Sequence, residues 1–170
     1  MLNSISIILA SGFGVGILSL KLFAGNPLFP ARWTGSGLLG TFIGLGIVWL
    51  GFPLSGLRGF VCSLILTLLA FWSADRAEKI WEVKDDTRII CDEIVGFVWS
   101  VLFLPFHLVS LSQRYWVLMV AFILFRLFDV CKWPFAGVQK FKGGWGILLD
   151  DLLAGLFVNI LLQISIRLFI

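Results

Sequence analysis

Apolar residues run along this chain in long, almost unbroken blocks. Residues 1–20, 33–57, 59–74 and 94–113 carry no Asp, Glu, Lys or Arg, and several of these stretches approach the roughly 20 residues that span a bilayer as helix. The pattern predicts helices at about residues 2–20, 36–52, 58–74, 89–106, 115–130 and 147–168, at least four of them crossing or entering lipid. Breakers fall between the blocks. Pro27 and Pro30 lie in the first loop, Pro53 after the second helix, Pro105 at the end of the fourth and Pro134 after the fifth, where a residue without an N–H interrupts no helical ladder. Gly35, Gly37, Gly40, Gly44 and Gly46 give the second helix a smooth face that a neighbouring backbone can approach closely. The expected fold is an all-α polytopic membrane bundle of about six helices, with segments 36–52 and 58–74 the candidates for re-entrant helices.

Composition agrees. The 170 residues are 59% hydrophobic and 14% charged, and the mean hydropathy of +1.02 is well above that of a soluble domain. No linker, low-complexity tract or repeat divides the chain, so residues 1–170 read as a single domain. The first block has no basic residue before it and no clear small-residue cleavage site, so it reads as a retained helix and not a removed signal peptide. The net charge of +3 is spread through loops without a basic stripe, which favours an anionic lipid surface and excludes nucleic acid as a partner. If all six helices span, Lys21, Arg32, Arg76, Lys79, Lys84, Arg88, Lys132, Lys140 and Lys142 share one side, against Arg58, Arg114 and Arg167 on the other. The positive-inside bias puts the first group in the cytoplasm. Residues 75–88 mix both signs of charge around Ile80, Trp81 and Val83 and predict an amphipathic surface helix. Cys62, Cys91 and Cys131 lack the spacing of zinc or redox pairs and are expected to pack as small apolar side chains.

Against this background Asp92, Glu93, Asp129, Asp150 and Asp151 stand out, each inside or at the edge of an apolar segment, where charge is costly and usually functional. Asp92 and Glu93 open the fourth helix, Asp129 closes the fifth, and Asp150 and Asp151 fall in the first turn of the sixth. Short loops make these helices antiparallel neighbours, so the acids converge on one pocket at the cytoplasmic face. Clustered carboxylates in a low dielectric lose their charge unless a cation compensates them. All-oxygen donors without paired His or Cys favour Mg²⁺, ahead of Mn²⁺ or Ca²⁺.

Plainer explanations exist for each residue. Acids favour helix N-termini for dipole reasons alone, and Asp129 has Arg126 and Lys132 three residues to either side as ion-pair partners. Lys142-Gly143-Gly144-Trp145-Gly146 opens the last helix with backbone amides suited to phosphate, amid Arg126, Lys132, Lys140 and Lys142, although a glycine turn alone is common. Metal-assisted phosphate chemistry thus competes with a cation- or proton-coupled transporter using a carboxylate relay, and with a noncatalytic lipid-binding scaffold. Acids gathered at one face, without repeated halves, fit a transporter less well. No Cys is followed six residues later by Arg, and His107, the only histidine, falls near the opposite membrane face, which disfavours cysteine and histidine nucleophiles.

Asp92-Glu93-Ile94-Val95-Gly96, Phe125-Arg126-Leu127-Phe128-Asp129-Val130-Cys131-Lys132-Trp133-Pro134 and Gly143-Gly144-Trp145-Gly146-Ile147-Leu148-Leu149-Asp150-Asp151 occur in that order. In these blocks the chain resembles the phosphatidylglycerophosphatase A family, with thinner similarity at Trp33-Thr34-Gly35-Ser36 and at Asp85. The resemblance implies a multi-pass, Mg²⁺-dependent phosphatase of the bacterial inner membrane that converts phosphatidylglycerophosphate to phosphatidylglycerol at the cytoplasmic face. It implies metal binding and water activation by Asp92, Glu93, Asp129, Asp150 and Asp151, with Arg126 and Lys132 holding the phosphate, beside the Gly143 and Gly144 amides already read as suited to it. Thr34 and Ser36 would add hydroxyl contacts, unless they only cap the second helix. The family's lysine-proline-tryptophan-proline run is shortened here to Lys132-Trp133-Pro134, the proline before Thr34 is replaced by Trp33, and Gln139-Lys140 stand where the family has an acid. The residues leave the oligomeric state open.

Overall fold

The computed structural model describes residues 2–23, 35–131, 141 and 143–169. Every regular element among them is helical: α1 (Leu2–Ala10), α2 (Val15–Phe23), α3 (Ser36–Trp49), α4 (Gly56–Trp81), α5 (Cys91–Val101), a turn of 3₁₀ helix at Phe106–Leu108, α6 (Leu111–Cys131) and α7 (Gly144–Phe169). The all-α expectation holds.

The first expected helix is two. Gly12, Phe13 and Gly14 all adopt positive φ, which breaks the run and bends α1 against α2 by 58°. The break serves a neighbour: Ile90 N–H donates to the Ala10 carbonyl at 2.9 Å, and its side chain fills the space a Cβ on Gly12 would need. Downstream, α4 runs through to Trp81 and ends where Glu82 turns left-handed at φ 55°. Residues 75–81 are therefore the tail of a long helix, and 82–90 form a turn-rich loop; no separate surface helix exists there. Segment 89–106 is shorter than expected, because α5 stops at Val101 and Leu102 is extended.

Two helices, Gly56–Trp81 and Gly144–Leu168, are long and apolar enough to cross a membrane by themselves, and the bent α1–α2 pair makes up to three. Their faces match that use. On α4 the small residues Gly59, Ser63, Ala70, Ser73, Ala74 and Ala77 point inward, while Leu57, Phe60, Leu64, Ile65, Leu68 and Leu69 are exposed. On α7, Leu156, Ile160, Ile164 and Leu168 form an exposed stripe at four-residue spacing. Small residues inside and large apolar residues outside invert the soluble pattern, as lipid-facing helices do.

At the centre stands α5, roughly 16 Å long at the helical rise and too short to span. Phe97, Val98 and Val101 are fully buried, and the helix packs against α3, α4, α6 and α7. Its closest neighbour is α7, because Gly96 and Gly155 meet: a Cβ on Gly155 would overlap the Gly96 carbonyl, and one on Gly96 would sit 2.8 Å from the Asp151 carbonyl oxygen. That crossing fixes the start of α5 beside the first third of α7.

Candidate active site

One pocket of about 150 Å³ collects the acids: Asp92 and Glu93 from α5, Asp129 from α6, Asp150 and Asp151 from α7. Ser36 of α3 and Asp85, Asp86, Thr87 and Ile89 of the 82–90 loop complete its wall. The tightest group is Asp92, Glu93 and Asp151, each offering a carboxylate oxygen within 4.8 Å of the other two. Asp92 is 8% and Asp151 3% exposed, and Asp92 Oδ1, Glu93 Oε2 and Asp151 Oδ2 are buried with no hydrogen-bond partner. Orphaned buried carboxylate oxygens carry a large desolvation cost. Three around one small space suit a hard divalent cation, which takes oxygen donors of this kind.

Local structure explains how each acid arrives. Asp92 and Glu93 occupy the first turn of α5, where the dipole favours them. Asp150 and Asp151 do not fall in the first turn of α7, contrary to expectation: the helix begins at Gly144, so they sit about two turns in. The dipole fades within one turn, and it does not explain them. Asp129, near the end of α6, is ion-paired to Arg126 of the same helix, the pairing foreseen as its plainer explanation. The Arg126 guanidinium also reaches α3, donating from Nη1 to Thr41 Oγ1 at 3.4 Å.

In the loop, Asp86 accepts from Arg88 Nε at 2.8 Å, Nη2 at 2.5 Å and the Arg88 N–H at 2.9 Å. Arg88 in turn lies 4.0 Å above the Trp81 ring. Burial is the largest single influence on Asp86 and opposes its charge, but the Arg88 hydrogen bonds and charge together outweigh it and hold the carboxyl below its ordinary range.

Gly143 and Gly144, expected at the phosphate, do not line this pocket. Their neighbour is Asp75 of α4: Gly144 N–H donates to Asp75 Oδ1 at 3.4 Å, and the same oxygen occupies the space beside Gly143. Thr34, Lys132, Lys140 and Lys142 lie outside the described residues. His107 is exposed on the 3₁₀ turn, near Ser55 and Arg114 beyond the far end of α5. Cys91 is buried as expected, whereas Cys131 is exposed. The contributions of Thr41, Asp75, Asp86 and Thr87 were not anticipated. Asp86 and Thr87 sit in a mixed-charge run, and Thr41 in a glycine-rich apolar helix, neither with a spacing that marks it.

Fold and pocket together define a membrane-associated helical protein whose chemistry is carried by clustered carboxylates. Residues 8–166 match the family model for phosphatidylglycerophosphatase A. The chain belongs to that family, and it is accordingly a phospholipid phosphatase, a phosphoric monoester hydrolase. A Haemophilus influenzae phosphatidylglycerophosphatase A is 33% identical over 94% of this chain and 87% of its own length. The Escherichia coli phosphatidylglycerophosphatase A is 27% identical over 87% and 76%. A Bacteroides thetaiotaomicron protein with the provisional name phosphatidylinositol-3-phosphatase is 34% identical over 94% of this chain and 92% of its own. No solved structure matches the chain.

Proposed function

We propose that the chain hydrolyses phosphatidylglycerophosphate to phosphatidylglycerol and inorganic phosphate, using Mg²⁺ held by Asp92, Glu93 and Asp151 with Asp129 and Asp150 beside them. The observation that carries this reading is the buried triad with partnerless oxygens. Its donor set fits a hard cation, and the surrounding acids would repel a phosphate dianion until cations enter. A divalent cation bound there neutralises phosphate oxygens and acidifies a nearby water. The remaining work falls to side chains. A wall carboxylate, Asp150 or Asp129, takes the proton of the attacking water, and the Arg126 guanidinium holds phosphate oxygens by charge-assisted bonds. Water adds to phosphorus as the bond to the glycerol oxygen breaks, and the proton is returned to that oxygen. Ser36 offers a hydroxyl at the pocket wall, while Thr34 and Lys132 are assigned to the substrate by resemblance alone.

The site is assigned to the cytoplasmic face of a bacterial inner membrane. In support, α4 and α7 run antiparallel, so Arg76, Lys79, Lys84 and Arg88 share the acid pocket's end of the bundle, while Arg58, Arg114 and Arg167 lie towards the other. That asymmetry agrees with the positive-inside bias.

The test is phosphate release by purified protein. Phosphatidylglycerophosphate with Mg²⁺ is expected to be turned over, EDTA to stop it, and Asp150→Asn to slow it about a hundredfold or more. Folded protein releasing nothing with Mg²⁺ or Mn²⁺ ends the assignment. The name of the Bacteroides relative raises a second substrate, so phosphatidylinositol 3-phosphate belongs in the same assay. It is expected to be the poorer of the two.

A further inference from the structure

The helices around α5 do not close evenly. α3, α4, α6 and α7 all pack on it, and α6 meets both α3 and α7 while α4 meets α7. Between α3 and α4 there is at most marginal contact among the described residues. The bent pair bridges that gap: α1 lies on α4 and α2 on α3, so the break at Gly12, Phe13 and Gly14 passes across it.

Behind the break is a crevice of about 100 Å³. Ile43 and Ile47 line it from α3, Leu66 and Leu69 from α4, and Ile94 and Val95 from α5. Among the described residues of its wall, only Ser73 and Cys91 carry polar side-chain atoms, and both are served within the wall. Ser73 Oγ donates to the Ala70 carbonyl at 3.0 Å, and the Cys91 thiol to the same carbonyl at 3.7 Å. A space with no unmet donor or acceptor holds water poorly and takes an apolar occupant. Its mouth is apolar too. Leu69 belongs to the exposed face of α4, and Phe13, 79% exposed, stands at the rim with φ 58°, a conformation aromatic residues rarely adopt.

The crevice shares its helices with the acid pocket. Ser36, Asp92 and Glu93 line the pocket, and the crevice is lined by residues further along the same α3 and α5. Ile43 is seven residues beyond Ser36, roughly 10 Å along the helix. A phospholipid whose terminal phosphate is held at the acids, with a glycerol headgroup between phosphate and tails, carries its acyl chains deeper into the bundle in this same direction.

We infer that the crevice between α3 and α4, behind the α1–α2 break, takes an acyl chain of the phospholipid substrate and so sets the depth at which the headgroup meets the acids. The inference rests on the lipid substrate proposed above. Because a chain entering from a bilayer leaves one apolar medium for another, the crevice contributes by fit and placement more than by hydrophobic transfer.

The experiment has two arms on the full chain. In nanodiscs, the Asp150→Asn chain with Mg²⁺ keeps the lipid intact while phosphatidylglycerophosphate carrying a diazirine midway along one acyl chain is photolysed, with equally labelled phosphatidylcholine as the control. Adducts are expected at Ile43, Ile47, Leu66 and Leu69, about tenfold above the control, the ratio that a modest preference for the matched headgroup gives. Equal labelling by both lipids, or adducts spread over the exposed faces of α6 and α7, overturns the inference. In mixed micelles, Ile47→Trp at the half-buried rim and Ala70→Leu in the wall narrow the crevice of the otherwise native chain. Each is expected to raise KM for the lipid about tenfold, the scale of overfilling a packed apolar site, with kcat within about threefold and the inhibition constant of chain-free inorganic phosphate within about twofold. An unchanged KM in both variants overturns the inference, as does a phosphate constant that rises in step with KM. If either variant fails to fold, the adducts on the chain with an unaltered crevice decide. Adducts in the crevice of a protein whose native form releases no phosphate sink the phosphatase reading and leave the crevice; phosphate release with adducts elsewhere does the reverse.

Discussion

Asp86 shows at the scale of one residue how charge is kept in the wall of an otherwise apolar bundle. Its carboxylate is buried, yet three hydrogen bonds from Arg88 serve it, and Arg88 rests on Trp81. The folded-state pKa of Asp86 is held below its ordinary range. A carboxylate with a depressed folded value contributes stability that is present above its unfolded pKa, about 3.9, and is lost as pH falls through the folded value. Asp86→Asn should therefore lower stability at neutral pH by about 1 kcal/mol, the upper end for a solvent-screened pair. The difference from wild type should close below about pH 4. Unfolding followed from pH 7 to pH 3 checks this, and a gap that persists into acid means the pair does not supply it. The five acids of the helices were legible because charge among apolar residues is conspicuous. Asp86 was not, since its neighbours Asp85 and Arg88 make it one charge in a charged run.

Among the elements, α5 decides the site, and both of its ends depend on other helices. Its start is fixed by the Ile90 bond into the α1–α2 break. Its end is closed by Asn159 of α7, whose Nδ2 donates to the carbonyls of Trp99 at 3.1 Å, Ser100 at 3.2 Å and Leu102 at 2.6 Å. Carbonyls at a helix C-terminus have no partner within the helix, and in an apolar setting each needs one. Asn159→Leu is expected to cost about 1–3 kcal/mol by orphaning them, measured as a lower thermal midpoint in detergent. An unchanged midpoint would show that other groups serve these carbonyls. The long helices were readable from their apolar blocks, with α6 and α7 near their expected bounds. The α1–α2 break was not, because Gly12 and Gly14 lie in a charge-free run without proline, and the demand for a break comes from Ile90, distant in sequence. The early end of α5 was hidden for the same reason, since its cap arrives from residue 159 and Pro105 lies beyond it.

At the scale of the whole molecule, the fold gathers carboxylates into one buried group that a cation would relieve. Gly96 against Gly155 brings α5 and α7 to near backbone contact, which sets Asp92 and Glu93 opposite Asp151 within the 4.8 Å group. The unfolded chain separates and solvates these carboxylates, so their burial together burdens the folded state, and a cation held by all three would bind that state selectively. Ligand binding of that kind stabilises by about 2.7 kcal/mol at a hundredfold excess over the dissociation constant. Mg²⁺ should then raise the thermal midpoint of wild-type protein by roughly 5–10 °C for a domain of this size, and EDTA should reverse it. Asp151→Asn should melt no lower than wild type in EDTA, because a neutral amide of the same size replaces a buried carboxyl that cannot keep its charge there, and should lose most of the response to Mg²⁺. A variant that keeps the full Mg²⁺ response would place the ion elsewhere. One that melts lower than wild type in EDTA would mean that Asp151 serves the packing of α7 and not a cation.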